Sequence, residues 1–488
     1  MGLLFLPLYA TVLGFEAYGL IGVFSVLQAW VALTDLGLTP TIVREMSQFR
    51  AGVRSVQSVK DLLRSLEAIW VMFALLLAIG VVLSANWIAQ SWLNPHQLSP
   101  DTVEGAIEMI GVVLAARWLE QIYRGALQGL QDFVWLNAAQ VVLSTLRWGG
   151  AYALILVVPN VITFFLWQGF VAFISLGALV WRTHRVLPKS DKRGKFSLGV
   201  LREVRTFATG MFLSGLLSFL LMQSDKIVIS KLLPLSSLGA YTLAANASAG
   251  LLQVMAPLSA VVFPRFMELV SRKDLTALAG TYQRACQWMA ALIVPPALVL
   301  AIFPEAILLV WTGNQQIVAS VAPILSVLAL GTLANGLMSM PYFLQISYGW
   351  TGLAIRFNVV AVLLIIPATI WIVPRFGAIG AAYLWLLLNA AYLFVMSFLM
   401  YRKILTQCRR RWYVNAVGIP LALGLSLGLL LLRLVPSVDS RSGAAIVVMT
   451  VGAMFIGAVA LSLPLVRQDV LTHLRHWRDA RSSDSTTR

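Results

Sequence analysis

The stretch "QAWVALTDLGLTPTIVREMSQFR" (28–50) decides the fold class. Its first half continues an apolar run in which Asp35 is the only formal charge between Ala17 and Val43, and its second half opens into Arg44 and Arg50. An apolar run of that length closed by arginines is the form of a membrane-spanning helix that ends at a charged aqueous face. A carboxylate at membrane depth costs about 2.5–3.5 kcal/mol on insertion scales. Asp35 therefore needs a structural partner or a task.

The whole chain repeats that pattern. Of its 488 residues 59% are hydrophobic and 11% charged, and the mean hydropathy is +0.84. Such a composition excludes a soluble domain. The two cysteines, Cys286 and Cys408, and the four histidines show no ligand spacing. No disulfide framework, metal site, cofactor or cysteine nucleophile is expected, and no catalytic residue. No basic segment with a cleavage site precedes the first apolar run, so no removable signal peptide is read.

Thirteen apolar segments, from 18–39 to 443–466, are long enough to span about 30 Å of hydrocarbon. A further one, Met1–Leu13, reaches only about 20 Å at 1.5 Å per residue and reads as the second half of a first helix. Taking alternate connections as cytoplasmic places 29 of the 36 Lys and Arg residues on one side. That split orients the chain with both termini inside. The net charge of +16 is then a topology signal that favours anionic headgroups, not nucleic acid.

A short repeat organises the segments. "YATVLGFEAYGLIG" (9–22) and "ISKLLPLSSLGAYT" (229–242) occupy corresponding outer links, with Gly19 and Gly239 at the same place 220 residues apart. Six helices between the copies make them parallel repeats about an axis along the membrane normal. The expected fold class is an all-α polytopic membrane protein of about fourteen transmembrane helices. An N-terminal lobe (1–181) and a C-terminal lobe (206–400) would be pseudo-symmetric six-helix bundles around a central cavity, joined by a basic cytoplasmic loop (182–205). A second basic loop (401–412), two further helices (413–466) and a cytoplasmic tail (467–488) complete the chain. In that tail Val470, Leu471, Leu474 and Trp477 share one face of a helix lying at the membrane surface.

Polar residues inside the helices fall in stripes. Arg117, Glu120 and Arg124 stand at i, i+3 and i+7, and Asn137, Gln140, Ser144 and Arg147 form a second stripe. Gln28 shares a side with Asp35, and Asp225 is followed by Lys226. Asn246 lies on the eighth helix, and Thr332, Asn335, Ser339 and Tyr342 line the tenth. Neutral members of such stripes serve either as interhelical hydrogen-bond glue or as the lining of an aqueous path. The cations are harder to dismiss. Unpaired in lipid, Arg117, Arg147 and Lys226 would together cost about 8–10 kcal/mol, so they must face water or carboxylates. Glu120 can pair with Arg117 or Arg124 on its own helix, and Asp225 with a facing cation. Arg147 has no carboxylate within two turns of its own helix and is the residue most readily assigned to an anion. Asp35 can tie its helix end to Arg44 or Arg64, or titrate within the cavity. Pro257, Pro295, Pro296, Pro304, Pro323 and Pro367 are candidate hinges.

Three segments, "PLYATVLGFEAYGLIGVF…TDLGLTPTIVREMS", "QSDKIVISKLLPLSSLGAYTLAANAS" (223–248) and "VPRFGAIGAAYLW" (373–385), resemble polysaccharide flippases of the O-antigen type, in order and spacing over nearly the whole chain. These flippases belong to the multidrug, oligosaccharidyl-lipid and polysaccharide exporter superfamily. The resemblance implies two six-helix lobes with the last two helices outside them, and an activity that moves an undecaprenyl-pyrophosphate-linked oligosaccharide from the inner to the outer leaflet of a bacterial cytoplasmic membrane. It carries the family's carboxylates onto Asp35 and Asp225 and an arginine, at the cytoplasmic gate, onto Arg44. Relative to the family, half of the first helix is absent ahead of Met1. Arg117, Arg124, Arg147 and Lys226 are the expected substrate-binding cations; Asp35, Glu120 and Asp225 are either ion-coupling or structural. Expected partners are the lipid-linked oligosaccharide, membrane lipids, and the polysaccharide polymerase and chain-length machinery. The alternatives are a drug/cation antiporter of the same superfamily, which should hold carboxylates in excess, and a membrane enzyme. A polymerase or glycosyltransferase needs a sizeable extramembrane loop, and the longest outer connection, about 90–104, holds only His96, Asp101 and Glu104 as chemistry-bearing groups.

Overall fold

Backbone N–H and C=O groups in hydrocarbon have no water to bond, so each apolar run closes its hydrogen bonds within itself as a helix. The computed structural model describes residues 2–33, 38–50, 52, 55–187, 216, 219–350, 352–435, 440–469, 471 and 472. Among these there is no strand. In chain order the helices are α1 (Gly2–Leu13), α2 (Phe15–Leu33), α3 (Leu38–Arg50), α4 (Val56–Trp92), α5 (Pro100–Gly129), α6 (Phe133–Val157), α7 (Val161–Val186) and α8 (219–232). They continue with α9 (Leu235–Ser271), α10 (Leu275–Ile302), α11 (Pro304–Thr312), α12 (Gln315–Ser347), α13 (Gly352–Phe376), α14 (Ala378–Tyr401), α15 (Thr406–Leu434) and α16 (Arg441–Ser462).

Ten of the described helices are long and apolar enough to cross a membrane. The expected spans 18–39, 105–127 and 207–232 are not among them: α2 is apolar only over Phe15–Val31, α5 carries Arg117, Glu120 and Arg124, and 207–215, 217 and 218 lie outside the described residues. The ends follow local chemistry. Ser99 accepts from the Thr102 N–H with Pro100 at the first position of α5, and Asn160, Asp274 and Asn314 cap α7, α10 and α12 in the same way. The expected span 285–311 is two helices, because Pro304 starts α11 after a break at Phe303; α10 runs unbroken through Pro295 and Pro296, as α9, α12 and α13 do through Pro257, Pro323 and Pro367.

The chain divides into two compact units, Met1–Thr242 and Leu243–Arg488. The sequence places its lobe boundary earlier, at 182–205, of which 188–205 lies outside the described residues. In the first unit α5 is the central helix, packed on α3, α4 and α7. Trp70 stacks on Trp118 at 5.5 Å between ring centres, and Tyr9 donates to the Trp148 carbonyl at 2.5 Å. The link between α4 and α5 is held by α2. Buried Glu16 accepts backbone N–H groups from His96, Gln97 and Leu98, the last two at 2.6 and 3.2 Å. The same link reaches α8 through Trp92 to Ser230 (3.0 Å), Asn94 to the Lys231 carbonyl (3.1 Å) and Lys231 to the Ser91 carbonyl.

The repeat glycines meet at that end of the unit. A Cβ on Gly19 would strike the Leu235 carbonyl oxygen, and one on Gly239 would strike the Phe15 carbonyl oxygen. Since 235 is 15 shifted by the same 220 as 239 is from 19, the contact is reciprocal, the form a two-fold relation produces. Gly22 faces Thr242, its own counterpart, 2.6 Å from a Cβ position to Oγ1.

In the second unit α10 and α12 are the enclosed helices, with Tyr282 and Tyr401 hydroxyls hydrogen-bonded in the interior. The last two helices share this core through Leu431, Val451, Phe455 and Val459. Beyond α16 the chain stays docked on α10: the Leu465 N–H donates to Gln287 (2.8 Å), and Asp469 accepts from Trp288 (3.0 Å) and pairs with Arg284 (3.3 Å). Of the expected tail face only Leu471 lies within the described residues.

Gly239→Leu should separate α2 from α9 and lower the thermal midpoint of the detergent-solubilised protein by several degrees, at an overpacking cost of about 1–3 kcal/mol. Gly80→Leu, with nothing within 4 Å of its Cβ position, should leave the midpoint unchanged in the same thermal scan.

Candidate functional site: a buried arginine and glutamate cluster

The two polar stripes of α5 and α6 do come together, and α7 completes the group. Glu120, 4% exposed, lies 3.8 Å from Arg124 Nη2 and 3.7 Å from Arg147 Nη2. Arg124 Nη1 donates to Gln140 Oε1 at 2.5 Å, and Gln140 Nε2 to Ser144 Oγ at 2.9 Å. Arg117 Nη2 donates to Gln168 Oε1 on α7 at 2.7 Å, and its guanidinium sits over the Phe24 ring at 5.0 Å. Two arginines thus share one carboxylate inside the helix bundle, and a third stands beside them on an amide.

One open alternative is resolved and one partner is added. Of its two candidate partners Glu120 pairs with Arg124 and not Arg117, because a glutamate reaches an arginine four residues ahead better than one three residues behind, given that helical side chains lean toward the N-terminus. Arg147 takes its carboxylate from the neighbouring helix, which spacing along α6 could not reveal. Both contacts to Glu120 are longer than hydrogen bonds. Arg117 Nε, Arg147 Nε and Gln168 Nε2 are buried without a hydrogen-bond partner among the described residues. Gln168 and Ser175 escaped notice, although seven residues apart on α7 they form a stripe like the others.

The remaining candidates lie elsewhere. Asp35 and the side chain of Arg44 are outside the described residues. Asp225 accepts from the Tyr241 hydroxyl at 2.5 Å and from the Lys226 N–H at 2.7 Å, with no ion pair among the described residues; Lys226 Nζ donates to Gln223 at 3.2 Å. Gln28 and Asn137 are exposed and Asn246 is half-buried. In the second unit Thr332 bonds Ser248 across helices at 2.7 Å, and Asn335 bonds Asn389 at 2.9 Å, which is the glue reading of these residues. Ser339 donates to the Gly336 carbonyl within its own helix, and Tyr342 is 41% exposed.

Fold and cluster define an all-helical, multi-pass membrane protein with a cation-rich polar interior in its N-terminal half. A profile described as polysaccharide biosynthesis protein matches residues 1–270, and the chain belongs to that family. It is 19% identical over 381 residues to a candidate O-antigen transporter of Shigella flexneri, covering 76% of this chain and 87% of that one. Its fold is that of the lipid II flippase MurJ in an inward closed conformation (TM-score 0.74, 14% identity, 96% of this chain and 97% of MurJ). It is also similar to an inward-facing multidrug resistance MATE family transporter of the MOP superfamily (TM-score 0.68, 14% identity, 83% and 94% of the two chains).

Gln168→Leu should leave the Arg117 guanidinium without its acceptor and destabilise the protein by about 1–3 kcal/mol. Asn137→Ala, at an exposed position, should change stability by less than about 0.5 kcal/mol. Thermal unfolding in detergent compares the two directly.

Proposed function

We propose that the protein is a flippase that carries an undecaprenyl-pyrophosphate-linked oligosaccharide from the inner to the outer leaflet of a bacterial cytoplasmic membrane by alternating access, with no enzymatic step and both termini cytoplasmic. The observation that carries this reading is the excess of guanidinium over carboxylate in the α5, α6 and α7 cluster. A diphosphate has two negative charges and acceptor oxygens that match the arginine fork. Glu120 then acts as an internal stand-in for the substrate. Its loose contacts hold Arg124 and Arg147 while the site is empty, and the incoming diphosphate takes them over. Release at the far side restores the glutamate to its arginines, so the substrate leaves without exposing bare cations to lipid. Gln140, Ser144 and Gln168 offer exchangeable hydrogen bonds to sugar hydroxyls or phosphate oxygens. Asp35, Glu120 and Asp225 are the carboxylates available for coupling to a proton or sodium gradient.

The competing reading is a drug/cation antiporter, favoured by the fold shared with the MATE transporter. A cationic drug would meet three arginines for one glutamate, which repels it.

Deleting the gene in its host should strip the surface polysaccharide and leave the lipid-linked precursor facing the cytoplasm. Wild-type protein should restore export and Arg147→Ala should not, with transport reduced at least tenfold. Unchanged surface glycan on deletion, together with efflux of a cationic dye, would overturn the proposal in favour of the antiporter. Glu120→Gln, which keeps the shape and removes the internal anion, should bind a diphosphate lipid several-fold more tightly in a competition assay and export more slowly.

A further inference from the structure

Between α14 and α15 the chain makes a tight turn with an uneven inventory. Tyr401, Ile404, Leu405, Cys408 and Trp412 are buried, whereas Arg402, Lys403, Arg409, Arg410 and Arg411 are all exposed. The turn is held rigidly. Ile404 N–H donates to the Met400 carbonyl at 2.9 Å, Gln283 Nε2 reaches Cys408 Sγ at 3.4 Å, and Leu405 adopts a left-handed φ of 45°. A leucine accepts that strained conformation only where burial of its neighbours fixes the backbone. Five cations are therefore displayed on a fixed frame.

Their partners are aromatic, not acidic. Arg402 and Arg409, seven residues apart, both place their guanidinium groups over the Phe398 ring, at 5.1 and 4.8 Å, and Lys403 lies over Trp350 at 4.9 Å. None of the five forms an ion pair with a described carboxylate. Other arginines of the same unit do: Arg265 and Arg272 share Glu268 at 2.5 and 2.9 Å, and Arg284 pairs with Asp469. Stacking on a ring leaves a guanidinium's in-plane donors free for an oxyanion. The turn joins two helices that are each long and apolar enough to cross a membrane, and a short link between two crossing helices falls in the headgroup region. On the two helices that the turn joins, Phe394, Val395 and Val414 are exposed, an apolar surface suited to acyl chains.

We propose that Arg402 and Arg409, mounted on Phe398, form a specific binding site for an anionic glycerophospholipid, its phosphate held between the two guanidinium groups and its acyl chains lying over Phe394, Val395 and Val414. The site is separate from the arginine and glutamate cluster of the first unit and does not depend on the transport reading. It differs from general attraction of basic loops to the membrane in requiring two particular arginines and one ring.

The test is native mass spectrometry of the full-length protein extracted from bilayers containing phosphatidylglycerol and phosphatidylcholine. Wild type should retain phosphatidylglycerol over phosphatidylcholine by about tenfold or more, from the roughly additive contribution of each arginine. The Arg402→Gln/Arg409→Gln double variant should lose that preference. The Arg265→Gln/Arg272→Gln variant, with the same charge change at carboxylate-paired positions, should keep it. Phe398→Leu, which alters no charge, and Arg409→Lys, which removes only the fork, should each weaken retention and remain informative if the double variant does not fold. Equal retention by wild type and the double variant, equal loss in the Arg265 and Arg272 control, or displacement of the lipid by millimolar inorganic phosphate would each overturn the assignment.

Discussion

An arginine inside a helix bundle has to be answered by another polar group, and in the first unit that requirement arranges α5, α6 and α7 around Glu120. Removing one partner of a buried pair costs about 3–5 kcal/mol, so the three helices cannot slide past one another without breaking the arrangement. Arg117 is satisfied from α7 by Gln168, Arg147 from α5 by Glu120, and Arg124 from both its own helix and α6. The cluster is nevertheless loosely paired. Its contacts to Glu120 exceed hydrogen-bond length and several donors are unused.

The class of fold was legible in the sequence because hydrocarbon imposes length and apolarity on every crossing segment. So were the stripes of α5 and α6, since helical periodicity puts Arg117, Glu120 and Arg124, or Gln140, Ser144 and Arg147, on common faces. What periodicity cannot supply is the neighbour. The acceptor of Arg117 sits 51 residues away on α7 and the carboxylate of Arg147 on α5. Thr332 and Asn335 read equally well as cavity lining, and only the positions of Ser248 and Asn389 show them joined across helices. Of the six candidate hinge prolines, five sit within continuous helices and only Pro304 begins a new one.

Glu16 shows a further limit. Its place in a short apolar link gave it no stripe and no charged neighbour, yet it takes three backbone N–H groups of the 96–98 segment. A loop next to a membrane has no guaranteed water for its amides, and a carboxylate from a neighbouring helix replaces it. Residues that satisfy backbone across a fold leave no periodic trace, so they are found only once the chain is folded.

The reciprocal contact of Gly19 with Leu235 and Gly239 with Phe15 carries a consequence for origin. Two identical chains meeting about a two-fold axis make this kind of contact, each offering the same patch to the other. A chain of half the length, containing one copy of the motif, would form it as a homodimer, and joining two such copies end to end would preserve it within one polypeptide. The glycines would then be relics of a subunit interface. A substitution tolerated in one copy has to be matched by the shape of the other, so the two halves of the seam are bound to diverge together.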